Sequence, residues 1–268
     1  MAAFDLDRFL QLSGAVRLDD LAWEQAKGDG LTDAEARILR YMADTETHTI
    51  LYLRDLLAGH SCHDPEVTSF LSVWVYEELW HGRALDRLLT ESGRPVAKDA
   101  FTQAARGVAW REPLEAVASH LLANSTPRFA AVHMAWGAIN ELTAAAAYKR
   151  LAQTSNNRVL VQLLGRIAKQ ERKHFAFYYQ QAEKRLAGDK WAQRLCRSVL
   201  KLAWTPVGSG VGHGDNMSFV AQQLFADAPG RALLDDIDRT IAQLPGLGTF
   251  DLVGRRVGHI VAKAAAAA

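Results

Sequence analysis

The sequence predicts an all-α chain built around a four-helix bundle, and three observations carry that reading. Two Glu-x-x-His motifs, Glu78–His81 and Glu171–His174, each follow a lone upstream glutamate, Glu46 and Glu141. The midpoint of Glu46 and Glu78 falls in the breaker cluster Gly59-His60-Ser61-Cys62-His63-Asp64-Pro65, and that of Glu141 and Glu171 falls in Ser155-Asn156-Asn157. No alternating β-branched stretch is long enough for a strand, and the 7 prolines sit at breaks.

The elements follow in order. Thr32-Asp33-Ala34-Glu35 is a capping box and opens a helix over 33–57. Pro65 starts the next, over 66–91, which Ser92-Gly93-Arg94-Pro95 closes. Shorter helices are expected over 96–125. Thr126-Pro127 starts a third long helix, 128–153, and 157–187 is the fourth. A fifth, over 190–204, is expected outside these four. Gly208, Gly210, Gly212 and Gly214 predict a flexible segment; no strand precedes them, which argues against a phosphate-binding loop. Helical patterns resume at 216–227 and 231–243, and the alanine tail after Lys263 is of low complexity with no expected role. The expected organisation is a ferritin-like helical domain over 1–205 and a C-terminal helical extension over 206–268 packed on it.

A spacing of three places a Glu and a His on one helix face. Folding each helix pair at its turn brings the lone glutamate level with its Glu-x-x-His, about 22 Å from the turn at 1.5 Å per residue. Four carboxylates and two imidazoles from four helices form the ligand set of a dimetal site in a ferritin-like bundle. The predicted metal ligands are therefore Glu46, Glu78, His81, Glu141, Glu171 and His174. In such a bundle Glu78 and Glu171 bridge, with Glu46 and His81 on one ion and Glu141 and His174 on the other. Four carboxylates balance two divalent cations, and carboxylate with neutral imidazole suits Fe(II), Mn(II) or Zn(II). Two iron ions are expected, with manganese as a substitute.

Neighbouring residues have blander readings. Glu77 lies about 100° round the helix from Glu78 and is read as a supporting or surface residue. His48 points away from Glu46, and His60, Cys62 and His63 are turn residues. Trp74, Trp80, Trp136 and Phe177 are core or cavity wall. The small side chains Ala144 to Ala147 leave room for a substrate or permit close helix packing. Trp74, Thr143, Ala144 and Ala145 are the candidate cavity residues.

Bulk properties exclude other classes. The 268 residues are 49% hydrophobic, enough for a substantial core, and carry a net charge of +1, which implies no bulk attraction to nucleic acid. No apolar run reaches the ~18 residues of a membrane span. The start lacks the basic and apolar regions of a secretory signal, and two cysteines make no disulfide framework, so the cytoplasm is expected.

Over roughly residues 17–190 the chain resembles the soluble acyl-carrier-protein desaturases. The matching motifs are Thr45-Glu46; Glu77-Glu78-Leu79-Trp80-His81-Gly82 with Ser92-Gly93-Arg94 downstream; Asn140-Glu141; and Glu171-Arg172-Lys173-His174 with Tyr178. The departures are Trp80 and Lys173 where the family has arginine, Gln170 where it has an acidic residue, Thr143 one position early, and a short amino terminus without the family's electron-transfer aromatic. The resemblance implies an O₂-dependent di-iron oxidoreductase acting on an acyl chain carried as a thioester. A ferredoxin would donate electrons, and acyl carrier protein is an expected partner. A homodimer through the second and third long helices is also implied. The departures concern electron and proton delivery, so a di-iron oxidase, hydroxylase or N-oxygenase of another small molecule stands beside desaturation. A ferroxidase or iron-handling protein and a ligand-retaining interaction module are the readings from other classes.

Overall fold

The computed structural model describes residues 3–57, 59–94, 126–208 and 214–267. Among these every regular element is helical. They are α1 (Leu6–Leu12), α2 (Trp23–Asp29), α3 (Asp33–Leu57), a 3₁₀ turn (His60–His63), α4 (Pro65–Glu91), α5 (Phe129–Thr154), α6 (Arg158–Leu186), α7 (Lys190–Ala203), α8 (Gly214–Phe225), α9 (Ala228–Ile241) and α10 (Leu252–Ala267). The four long helices α3 to α6 match the predicted spans to within one residue at each end. The helices expected over 96–125, and most of the glycine-rich segment, lie outside the described residues.

Side-chain caps fix where the long helices begin. Thr32 Oγ1 accepts from Glu35 N at 3.1 Å while Glu35 Oε2 accepts from Thr32 N at 2.8 Å, the reciprocal capping box. Asp64 accepts from Glu66 N and Val67 N ahead of Pro65. Asn157 Oδ1 accepts from Leu160 N, and its amide donates to Ala26 O and Gly30 O, tying the end of α2 to the start of α6. Helix α4 ends with Gly93 at φ 77° and an Arg94 N–Leu89 O bond of 2.8 Å, the left-handed cap anticipated from Ser92-Gly93-Arg94.

Helices α3 and α4 form one hairpin about the 3₁₀ turn, and α5 and α6 form another about residues 155–157. Both turns sit at the midpoints read from the glutamate positions. Helix α5 buries residues on most of its circumference because α6, α7, α8 and α9 all pack on it. The C-terminal helices α8, α9 and α10 pack on one another, with α8 reaching α3 and α5. Asp238 accepts from Val253 N at 2.9 Å and Gly254 N at 2.8 Å, fixing the start of α10 against α9. Asp227, the N-cap of α9, pairs with Arg150 of α5. Helix α10 runs through the alanine tail to Ala267, where sequence composition gave no role.

Glycine sets one interhelical distance beside the centre of the bundle. A Cβ on Gly137 of α5 would lie 2.5 Å from Tyr178 Cδ1 of α6. One on Gly165, also in α6, would meet nothing within 4 Å. Gly137→Val is expected to cost about 1–3 kcal/mol by overpacking. Gly165→Ala is expected to stabilise by up to about 1 kcal/mol through helix propensity. Urea midpoints measured on both variants should move in opposite directions; a shared direction would contradict this packing.

Candidate metal centre

The six predicted ligands converge at the centre of the bundle, one group from each helix at one level. Glu46 comes from α3, Glu78 and His81 from α4, Glu141 from α5, and Glu171 and His174 from α6. All six residues are 0–6% exposed. They fall into two overlapping groups. Glu46, Glu78, His81 and Glu171 form one, and Glu78, Glu141, Glu171 and His174 the other, with one ligand atom from each residue within 4.8 Å of the rest of its group. Glu78 and Glu171 belong to both. His81 Nδ1 lies 3.1 Å from Glu171 Oε1 and 3.6 Å from Glu46 Oε2. His174 Nδ1 lies 3.1 Å from Glu78 Oε1 and 3.4 Å from both Glu141 Oε2 and Glu171 Oε2.

The donor set fits cations. Glu46 Oε2, Glu78 Oε1, His81 Nδ1 and Glu171 Oε1 are buried without a hydrogen-bond partner. Such atoms carry the full cost of desolvation unless something binds them, and a divalent ion in each group would engage all four. The cluster could hold metal ions on its carboxylate and imidazole donors.

Surrounding residues aim these atoms. His174 Nε2 donates to Glu77 Oε2 at 2.7 Å, and His81 Nε2 donates to Gln170 Oε1 at 3.0 Å. Both rings therefore turn Nδ1 toward the carboxylates, as a metal-binding histidine requires. Gln170 Nε2 in turn donates to Glu77 Oε1 at 2.7 Å and to Gly14 O, while Gly14 N donates to Glu77 Oε1 at 2.9 Å. A single hydrogen-bonded chain thus joins the two imidazoles and is closed by the amino-terminal segment. Gln170 suits this place because it accepts from His81 with one atom and donates to Glu77 with the other; a carboxylate there would face Glu77 with like charge. The two unshared glutamates are held by aromatic donors. Trp74 Nε1 donates to Glu141 Oε1 at 2.9 Å, and the Tyr148 hydroxyl donates to Glu46 Oε1.

Several sequence readings are refined. Glu77 is fully buried and supports His174. His48 donates through Nδ1 to Asp44 O of its own helix and takes no part in the cluster. His60, Cys62 and His63 form the 3₁₀ turn, and no metal-binding group includes them among the described residues. Trp80 and Trp136 are half-buried, and Phe177 stacks on Phe70 with centroids 3.9 Å apart. Sequence reasoning missed Tyr148 and gave Gln170 only as a departure. Tyr148 lies two helical turns beyond Glu141 on the same face of α5, a spacing that could have singled it out.

The candidate cavity is only partly as expected. A partly open, apolar cavity of about 80 Å³ lies between α3, α5 and the C-terminal helices α8 and α10. Thr143 and Ala144 line it; Trp74 and Ala145 do not. Trp74 is instead committed to Glu141, and Ala145 faces another side of α5 from Ala144 because successive helical residues differ by about 100°. Glu46 and Tyr148 both border the cavity, so it abuts the carboxylate cluster directly.

Protons balance the cluster when no cation does. Burial and the neighbouring carboxylates, Glu171 foremost, raise Glu78 and Glu141 well above the usual carboxylate range. Burial also opposes ionisation of Glu171, but the imidazoles of His174 and His81 beside it overcome it and hold this carboxyl low. Burial opposes charging of His81 as well, yet Glu171 and Glu46 raise it to about 10. His174 is likewise raised, against burial, by Glu141 and Glu171.

No protein-family model matches the chain, and no curated protein matches it.

At pH 7 the metal-free His81 lies below its value of about 10 and is protonated, so a cation must displace that proton. Metal affinity should therefore rise with pH, and loading should release protons. Calorimetric titration of metal into chelator-treated protein, in two buffers of different ionisation enthalpy, measures the release; none would refute the charge balance. Glu77→Gln should weaken metal affinity about 10–100-fold by loosening His174, whereas Glu78→Ala should remove both ions because it serves both groups. Metal content by mass spectrometry of the purified variants distinguishes the two effects.

Proposed function

We infer that this chain is an O₂-dependent di-iron oxidoreductase, related in activity to the acyl-carrier-protein desaturases. The observation that carries this reading is the pair of overlapping ligand groups sharing Glu78 and Glu171, buried and aimed by their own hydrogen-bond partners. Two bound irons would supply the two-electron chemistry that activates dioxygen for oxidation of an organic substrate. The apolar cavity against Glu46 speaks for such a substrate over a passage for ferrous iron. An acyl chain carried as a thioester is the substrate class we propose, with electrons from a ferredoxin-type donor.

The chain's own residues would perform the remaining tasks. Glu77 and Gln170 keep both imidazoles oriented, with the protons on Nε2 and Nδ1 free to bind. Trp74 and Tyr148 hold one oxygen each of Glu141 and Glu46, which limits those carboxylates to a narrow range of orientations. Burial and Glu46 keep the Tyr148 phenol protonated far above neutral pH. Phe9 and Phe70 pack edge-on against His174, at centroid distances of 6.2 and 6.1 Å, and exclude water from that side.

Iron-loaded protein, reduced anaerobically and then mixed with O₂, should gain near-ultraviolet charge-transfer absorption of oxidised iron while an oxygen electrode records uptake. Protein shown to hold two irons per chain that gives neither signal would overturn the oxidoreductase reading.

A further inference from the structure

We propose that the C-terminal extension forms the roof of a binding site for a slender, uncharged apolar group, such as the alkyl end of a small molecule, seated against Glu46 and Tyr148. The floor and sides come from the bundle, through Glu46, Ala144, Ala147 and Tyr148. The roof comes from α8 and α10, which supply Met217, Val220, Ala221, Phe225, Val257 and Ile260. Residues 206–208 strap this roof to α3. Tyr41 Oη donates to Val207 O at 2.9 Å, and Gly208, at φ 80°, lies so close that a Cβ would come within 2.7 Å of Thr45 Oγ1. Only glycine combines that backbone angle with that approach.

The lining selects against charge. Among the described lining residues Glu46 is the single charged side chain, and it belongs to the carboxylate cluster. The hydroxyls of Thr45, Thr143 and Tyr41 all donate to backbone carbonyls, of Tyr41, Ile139 and Val207. That of Tyr148 donates to Glu46. Among the described lining side chains no donor remains for a carboxylate or phosphate, and a cation would have to leave water for Glu46 alone, whose Oε1 accepts from Tyr148 and whose Oε2 lies 3.6 Å from His81 Nδ1. Size selects further. The cavity of about 80 Å³ is well under the ~150 Å³ of one that takes benzene, and it is open on one side. It therefore accepts the end of an unbranched chain, with the remainder extending outward. What happens to that group rests on the metal-centre reading; its binding rests on the cavity alone.

Methionine reports on both halves of the site. Of the 4 methionines, Met42 of α3 and Met217 of α8 line the cavity. Met134 lies on α5 about 21 Å along the helix from Tyr148. Zinc-loaded or metal-free protein labelled with ¹³C at the methionine methyls would be titrated separately with 1-hexanol, hexanoate and hexylammonium. Saturable shifts of Met42 and Met217, with Met134 unmoved, are expected for hexanol, and about tenfold weaker binding or more for both ions. Ala147→Leu, which fills the cavity from the bundle, and Ala221→Met, which fills it from the extension, should each abolish the hexanol shifts in protein that remains helical by circular dichroism. Absence of saturable shifts at Met42 and Met217, or hexanoate or hexylammonium binding as tightly as hexanol, would overturn the proposal. Mn(II)-loaded protein should in addition speed relaxation of bound hexanol protons, and hexanol bound without that enhancement would place the site elsewhere. Protein that takes up none of Fe(II), Zn(II) and Mn(II) but still binds hexanol would refute the metal centre and leave the binding site standing.

Discussion

Four carboxylates buried in the centre of one bundle are the constraint on which the rest of this structure depends. Charges of one sign brought together out of water repel, and desolvation adds to the cost. The chain answers with two imidazoles placed among the carboxylates and with raised proton affinities at Glu78 and Glu141. Divalent cations would answer it more completely, because they engage the buried atoms that protein donors leave unmet. The cost of burial is thus tolerated where binding of an ion can recover it.

The supporting residues are arranged with an approximate symmetry that follows from the two hairpins. Each unshared glutamate is held by one aromatic donor from the other hairpin, and each imidazole by one side chain of the other motif-bearing helix. The symmetry is broken at Glu77 and Gln170. One imidazole rests on a carboxylate and the other on an amide, so the two halves of the site differ in electrostatics although their ligands match. Because Gly14 closes this network through its backbone, the amino-terminal segment is part of the site. The C-terminal extension plays the corresponding part at the cavity, where α8 and α10 cover the face of the bundle beside Glu46.

The sequence by itself determined the four long helices, their two turns and the level at which six side chains meet. These are local or periodic properties: caps at Thr32, Asp64 and Asn157, a three-residue motif spacing, and glutamates equidistant from a break. Tertiary structure alone decided the rest. That Glu77 serves His174, that Gln170 must be an amide, and that Tyr148 reaches Glu46 depend on contacts between residues 97, 89 and 102 positions apart. The short α2 and the long α10 show no comparable signal, and α1 has only the cap at Asp5; packing on the rest of the chain stabilises them more than their own propensity. The cavity was misplaced for the same reason. Residues Ala144 and Ala145 are neighbours in sequence with equal side chains, and only the position of the C-terminal helices determines which of them faces an open space.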